Sequence, residues 1–160
     1  MHHDALTAEQ ARDLRALAGA IIPASRDYDV PGAGDELIFG DILRSLERDH
    51  DDICRALAQL AALAGGAFAD LGPERRAEVA ANFRETGGAP LAALVRVVLL
   101  CYYRDDRVMR SLGQEPRAPF PTGHVVEQGD WSLLDPVRAR PPMYRVVDGR
   151  NVPQHGRDQR

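Results

Sequence analysis

The sequence contains no lysine. All 20 of its basic residues are arginine, and they are spread along the chain instead of forming one basic run. With 24 acidic residues, the net charge is −4. Recognition of nucleic acid normally requires a concentrated basic patch, so this composition argues against a nucleic-acid partner. Arginine keeps its charge and its planar fork, and these residues therefore remain suited to ion pairs at protein interfaces.

Cysteine is scarce as well. Cys54 and Cys101 are the only two, and neither a CxxC pair nor a histidine-linked metal spacing accompanies them. We expect two small buried thiols, with a disulfide between two helices as the alternative. The motifs of serine hydrolases, zinc peptidases, P-loop proteins and dinucleotide-binding domains are also missing. The sequence thus predicts neither a catalytic site nor a bound cofactor in this chain.

Long hydrophobic runs are missing too. The longest, LAALVRVVLLCYY at 91–103, has 13 residues and contains an arginine, whereas a helix that spans a bilayer needs about 20 residues. The N-terminal stretch MHHDALTAEQARDL has no charged region followed by an apolar run, so no secretion signal is visible. These features predict a soluble chain without membrane insertion.

What the sequence does contain is helical periodicity over residues 1–112. Thr7 and Gln10 form a capping box for a first helix, which Pro23 ends. Further segments carry apolar residues at helical spacing, the last being a short sixth helix or a continuation of the fifth. The fifth helix, opened by Pro90, is apolar nearly all round and should be the central one. The prediction is an all-α fold, a small bundle of about five to six helices.

The chain changes character after Gly113. Seven of the 11 prolines lie between Pro116 and Pro153, yet this region keeps the aromatic and large aliphatic side chains that disordered tails lack. The stretch DWSLLDPVRARPPMYRVV at 130–147 carries the only tryptophan, without helical or strand periodicity. Because proline already restricts the backbone, such a segment loses little entropy when it is held extended. We therefore predict that residues 113–160 form a long, extended, proline-rich arm that packs on a partner subunit.

The arm and the end of the fifth helix hold the residues that we expect to contact this partner. Aromatic residues and arginine dominate interface hot spots, and arginines flank the apolar stretches here. Solvated charges are the plainer interpretation of those arginines, and the arm could instead fold back over its own fifth helix. The expected partner-binding residues are Tyr102, Tyr103, Phe120, Trp131, Leu133, Leu134, Arg138, Arg140 and Tyr144.

Two blocks of the sequence resemble a known family. LRALAGAIIPASRDYDVPGAGD at 14–35 resembles the opening of the gluconate 2-dehydrogenase subunit 3 family, in which a helix ends in Ile-Ile-Pro before a polar loop and Gly-Ala. LLCYYRDDRVMRSLGQEPRAPFPTGH at 99–124 resembles the C-terminal block of that family, with a Tyr-Tyr pair, a short helix, Leu-Gly and a proline-rich turn. The blocks stand in the right order, and neither is a catalytic signature.

The resemblance implies a non-catalytic small subunit of a bacterial flavin-dependent dehydrogenase that oxidises sugars, polyols or sugar acids. In that family the large subunit, of the glucose-methanol-choline oxidoreductase type, carries FAD and the catalytic histidines. The small subunit supports its folding, stability or export, and a cytochrome c is a candidate electron acceptor. Many members begin with a twin-arginine signal, which this chain lacks. We therefore expect a cytoplasmic complex, with periplasmic location by co-export on a signal-bearing partner as the alternative.

Two other functions stay open from the sequence. The first is a homo-oligomeric structural protein whose arm wraps its own twin. The second is an independent metal-dependent enzyme that uses His50, His124 and nearby acids. Against the second, the adjacent positions of RDHDD at 48–52 point in different directions on a helix, so their side chains do not converge without distant partners.

Overall fold

A computed structural model describes residues 5–118, 120–121, 123 and 128–141. Within these residues there are seven α-helices, three short 3-10 helices and no strand, although an isolated antiparallel bridge joins Ser25 to Val30. The chain divides into two compact units, Met1–Ala118 and Pro119–Arg160. The predicted all-α fold is confirmed.

Six of the described α-helices belong to the first unit. They are α1 (Ala8–Ile21), α2 (Glu36–Arg44), α3 (His50–Ala64), α4 (Pro73–Thr86), α5 (Gly88–Tyr103) and α6 (Asp106–Ser111). Short 3-10 helices at Glu47–Asp49 and Phe68–Asp70 precede α3 and α4. In the second unit Trp131–Leu134 forms a 3-10 turn that leads into α7 (Asp135–Arg138). This part of the arm is therefore helical, and the extended course of the remainder stays a prediction.

Local sequence signals place the ends of the helices. The Gln10 backbone N–H donates to Thr7 Oγ1 at 3.1 Å, and the Thr7 N–H donates to Gln10 Oε1 at 2.9 Å, so the predicted capping box is confirmed. Helix α1 ends before Pro23, also as predicted. Gly65 after α3 and Gly113 after α6 have φ angles of 74° and 71°, the left-handed conformation that commonly ends helices.

The core of the first unit lies around α5, which packs on α1, α2, α3, α4 and α6. The fifth helix is thus the central one, and it begins at Gly88, two residues before the predicted Pro90. At the junction with α4 a Cβ added to Gly87 would lie 2.6 Å from Leu91 Cβ, so this close approach requires glycine. Among the described helices none is alone long and apolar enough to cross a membrane, but α4 and α5 meet those criteria jointly, across a bend of 114°.

A buried carboxylate fixes the segment between α3 and α4. Asp13 of α1 is buried and accepts a hydrogen bond from the backbone N–H of Ala69 at 2.8 Å. From the other side, Arg76 of α4 donates to the carbonyl oxygens of Ala69 and Leu71 at 2.7 and 2.9 Å. Burying an unpaired polar group is costly, and these bonds satisfy groups that the packing removes from water. They hold the 3-10 turn with its fully buried Phe68 against α1.

Candidate functional site

Helix α5 is apolar on two opposite faces, and only one of them is buried. An amphipathic helix normally presents polar side chains on its outer face, but here Leu99, Leu100 and Tyr103 are 37%, 60% and 54% exposed. We call this outer face the α5 stripe. Its residues are Ala92, Val95, Arg96, Leu99, Leu100, Tyr103 and Arg104.

The α5 stripe is a contiguous apolar surface rather than a scatter of single exposed residues. Its members recur every three or four positions, so they lie next to one another along the helix. Single exposed hydrophobic residues are ordinary, whereas a contiguous patch marks a site of interaction. Burying an exposed leucine side chain contributes about 1.5–3 kcal/mol, and Leu100 keeps more than half of its surface exposed. A complex that buries the α5 stripe would therefore be stabilised by the hydrophobic contribution of these leucines.

Two arginines stand in the α5 stripe, and each is held by an ion pair to another helix. Arg96 donates to Asp49 Oδ1 at 2.6 Å, while Arg104 donates to Asp41 Oδ2 and Ser45 Oγ, both at 2.5 Å. The hydrogen bond from Arg96 lowers the pKa of Asp49, and the one from Arg104 lowers the pKa of Asp41. Both carboxylates are thus ionised at neutral pH, and both guanidinium groups are fixed in position.

The second unit carries an apolar set of its own. Trp131 is 61% exposed, and Leu133, Leu134 and Val137 are exposed beside it in the sequence. Local bonds shape this turn: the Trp131 indole N–H donates to Gln128 Oε1 at 3.3 Å, and Asp130 caps the turn by accepting from the Ser132 N–H at 3.0 Å. The turn therefore presents an aromatic side chain large enough to anchor an interface.

The structure separates the two tyrosines that the sequence placed in one interface. Tyr103 belongs to the exposed α5 stripe, whereas Tyr102 is buried in the core, where burial raises the pKa of its hydroxyl. Consecutive residues of an α-helix point about 100° apart, because a turn contains 3.6 residues. Tyr102 is thus a core residue, and we leave it out of the candidate surface.

The other predicted contact residues lie outside the first unit. Tyr144 falls outside the described residues, and so does His124, which was a candidate metal ligand and not a contact residue. The remaining ones are exposed: Phe120, Trp131, Leu133, Leu134, Arg138 and Arg140.

The sequence did not single out Leu99 and Leu100 as surface residues. Helix α5 was expected to be central because it is apolar nearly all round. The signal that reveals them is Arg96, because a lone arginine inside an apolar helix shows which side reaches solvent. Leu99, Leu100 and Tyr103 follow Arg96 by three, four and seven positions, on the same face.

The two blocks that resemble the dehydrogenase family touch each other through Arg107. Its guanidinium donates to Asp35 Oδ1 at 2.7 Å and to Asp105 Oδ1 at 3.0 Å. Asp35 caps the start of α2 and Asp105 caps the start of α6. The bonds from Arg107 lower the pKa of both carboxyl groups and raise that of Arg107. The Arg107 side chain thus ties the first block to the second. It also lines the groove between loop 24–31 and α6.

Of the two histidines considered as metal ligands, His50 is the one that lies within the described residues. It starts α3, where its Nδ1 lies 3.8 Å from Cys54 Sγ and 3.7 Å from a carboxylate oxygen of Asp51. Burial, with a smaller contribution from Asp51, raises the pKa of the Cys54 thiol, which keeps it protonated at neutral pH. Among the residues that the structure describes, no group of three or more His, Cys, Asp or Glu side chains is placed to hold a metal ion.

Comparisons of the chain with protein-family models, with curated proteins and with solved structures gave no match. The resemblance to gluconate 2-dehydrogenase subunit 3 therefore rests on the two sequence blocks, and the function has to be argued from the surfaces of the molecule.

Proposed function

We propose that this chain is a non-catalytic small subunit that binds and stabilises the FAD-bearing large subunit of a sugar or polyol dehydrogenase. The observation that carries the proposal is the exposed α5 stripe, because a contiguous apolar surface is typical of interaction sites, protein interfaces among them. The two sequence blocks supply the class of partner, a glucose-methanol-choline oxidoreductase. FAD and the catalytic histidines belong to that partner, which would pass electrons to an acceptor such as a cytochrome c.

The position of the α5 stripe suits a docking platform. Its helix packs on five other helices of the first unit, and the side chains of its opposite face are buried. Ion pairs from Arg96 and Arg104 to neighbouring segments hold the polar members of the surface. A rigid surface loses little conformational entropy on binding, which favours affinity.

Trp131 supplies a second contact in this proposal. Aromatic residues are the most frequent hot spots of interfaces, and an exposed indole beside exposed leucines has that composition. Arg138, which pairs with Asp135 at 3.0 Å, and Arg140 would bind acids or backbone carbonyl oxygens of the large subunit.

Purification of the chain with and without a large dehydrogenase subunit encoded beside it tests the proposal. We expect a yellow complex that oxidises a sugar or polyol, and a colourless, inactive lone chain. Leu100→Asp should abolish the complex, since a carboxylate would be buried without a partner. Leu112→Asp is the matched control, because Leu112 is 56% exposed, against 60% for Leu100, but lies off the stripe. Substrate oxidation by the lone chain, or a complex that Leu100→Asp leaves intact, would contradict the proposal.

A further inference from the structure

Arg96 and Arg104 of the α5 stripe indicate which kind of partner surface binds there. We propose that the stripe docks an amphipathic helix of the partner, with an apolar row flanked by carboxylates, and not a second copy of this chain. The identity of the partner rests on the function proposed above, whereas the chemistry of the docked helix follows from the stripe itself.

The stripe has the relief that a second helix fits. Residues at i and i+4 form two parallel ridges, Ala92–Arg96–Leu100–Arg104 and Val95–Leu99–Tyr103. Helices pack by setting the ridges of one into the grooves of the other. The groove between these ridges is apolar along its length, with an arginine at two points of one wall. A helix with a row of aliphatic side chains fits it.

The charged groups that belong to the stripe are its two guanidinium groups. Side chains of Arg96 and Arg104 are 44% and 53% exposed, whereas their carboxylate partners, Asp49 and Asp41, are 12% and 27% exposed. Neither carboxylate belongs to the stripe. A guanidinium has five N–H donors, so pairing with one carboxylate leaves donors for another acceptor.

A second copy offers no carboxylate from the same surface. In a twofold-symmetric dimer the stripe would face itself. Leu100 lies midway between Arg96 and Arg104, so an antiparallel pairing centred there sets Arg96 of one copy against Arg104 of the other. A parallel pairing sets each arginine against its own equivalent. Both arrangements oppose like charges, which disfavours association.

A partner helix with acidic margins satisfies both arginines at once. The two are eight positions apart, about 12 Å along the axis at the rise of an α-helix. Glutamate or aspartate residues seven or eight positions apart on the docked helix lie on one face at the same separation. Such a helix places one carboxylate at each guanidinium while its apolar row covers Leu99 and Leu100.

Two designed helical peptides test this directly with the full chain. Both carry the same leucine row, flanked by glutamates in one and by lysines in the other, and binding is followed by fluorescence anisotropy. We expect the glutamate peptide to bind about tenfold or more tightly than the lysine peptide, with the difference shrinking at high salt. The double variant Arg96→Gln/Arg104→Gln should abolish the difference, and Leu100→Asp should weaken both peptides. Arg110→Gln, exposed but off the stripe, is the control.

Equal binding of the two peptides, or tighter binding of the lysine peptide, would overturn the inference. So would a dimer of the lone chain in sedimentation that Leu100→Asp dissociates. The outcomes separate this inference from the proposed function. A flavin-containing complex unaffected by Arg96→Gln/Arg104→Gln would leave the function standing and remove the docking chemistry. Selective binding of the glutamate peptide without any flavin-containing complex would support the docking chemistry and contradict the proposed function. Circular dichroism of each variant shows that it is folded.

Discussion

The two faces of α5 both carry large aliphatic side chains, but their surroundings are opposite. Leu94 and Val98 are buried against neighbouring helices, while Leu99 and Leu100, on the same helix, are exposed. Helix propensity and hydrophobicity do not distinguish these positions. What differs is which face the other helices cover. The hydrophobicity of a segment shows that burying it is favourable, but not whether its own chain or another chain does so.

The largest difference between the two faces should appear in the stability of the lone chain. Leu94→Ala should lower the free energy of unfolding by about 2–5 kcal/mol, because it leaves a cavity in the core. Leu100→Ala should change it by less than about 0.5 kcal/mol, since the side chain is exposed. Urea unfolding of both variants gives the comparison. Equal losses would show that the stripe is already covered in the lone chain.

Binding to the large subunit should rank the surfaces the other way. Trp131→Ala should weaken the complex by about 2–4 kcal/mol, as expected for an aromatic anchor, without changing the urea midpoint of the lone chain. Leu94→Ala should destabilise the chain with no specific loss of affinity once folded. Titration calorimetry with the purified large subunit measures this. If Trp131→Ala instead lowers the stability of the lone chain, Trp131 contributes to the chain's own folding.

A smaller contrast concerns two arginines of α6. Arg107 bridges two capping carboxylates, whereas Arg110 makes one exposed i,i+4 pair with Asp106. Arg107→Met should cost about 1 kcal/mol of stability, limited by the 38% exposure of its side chain. Arg110→Met should cost less than about 0.5 kcal/mol. Thermal unfolding measures the loss of stability in each variant. Equal losses would show that the Arg107 bridge contributes no more than the exposed pair of Arg110 with Asp106.

The same bridge should make stability depend on acidity. Asp35 and Asp105 have pKa values below the ordinary 3.8, chiefly through their bonds to Arg107. A carboxyl group whose pKa is lowered by folding stabilises the fold above its unfolded pKa. That stabilisation is lost as the pH falls through the lower folded value. The urea midpoint of the wild type should thus fall below about pH 4, and less steeply for Arg107→Met. Parallel curves for the two proteins would rule out this origin.

The smallest expected effect is a difference in alkylation rate between Cys54 and Cys101, both of which are free thiols in the structure. Cys101 lies on the buried face of α5, and Cys54 is half-buried. Burial raises the pKa of both thiols, so both should react slowly, and Cys101 should react last because reagent cannot reach it. Alkylation followed by mass spectrometry gives the order. A folded chain in which neither thiol reacts before reduction, and both react after it, would indicate a disulfide.

Much of the helical structure could be predicted because its signals are local. Thr7, Gln10, Gly65 and Gly113 act on backbone groups within a turn of themselves, so their neighbours in sequence determine the helix ends. The 3-10 helix at Phe68–Asp70 could not be predicted in this way. It depends on bonds from Ala69 to Asp13, 56 positions away, and on Arg76 of the following helix.

The candidate site was predictable only in part. Tyr103 was expected at an interface and lies in the stripe, but its neighbour Tyr102 is in the core. The sequence indicated that the segment around Trp131 is apolar and aromatic, but it did not predict the helical backbone there. Helical segments of four residues are too short to show a repeating apolar pattern.

By itself the sequence determined that the first unit is helical, that α1 begins at its capping box and ends before Pro23, and that α5 is apolar nearly all round. Only the tertiary structure decided how much of Leu99 and Leu100 the bundle leaves exposed, that Asp13 is buried, and that Arg107 joins the caps of α2 and α6. The physical reason is the range of the interactions. Capping and periodicity act within a few residues, whereas burial and ion pairing join groups that only folding brings together.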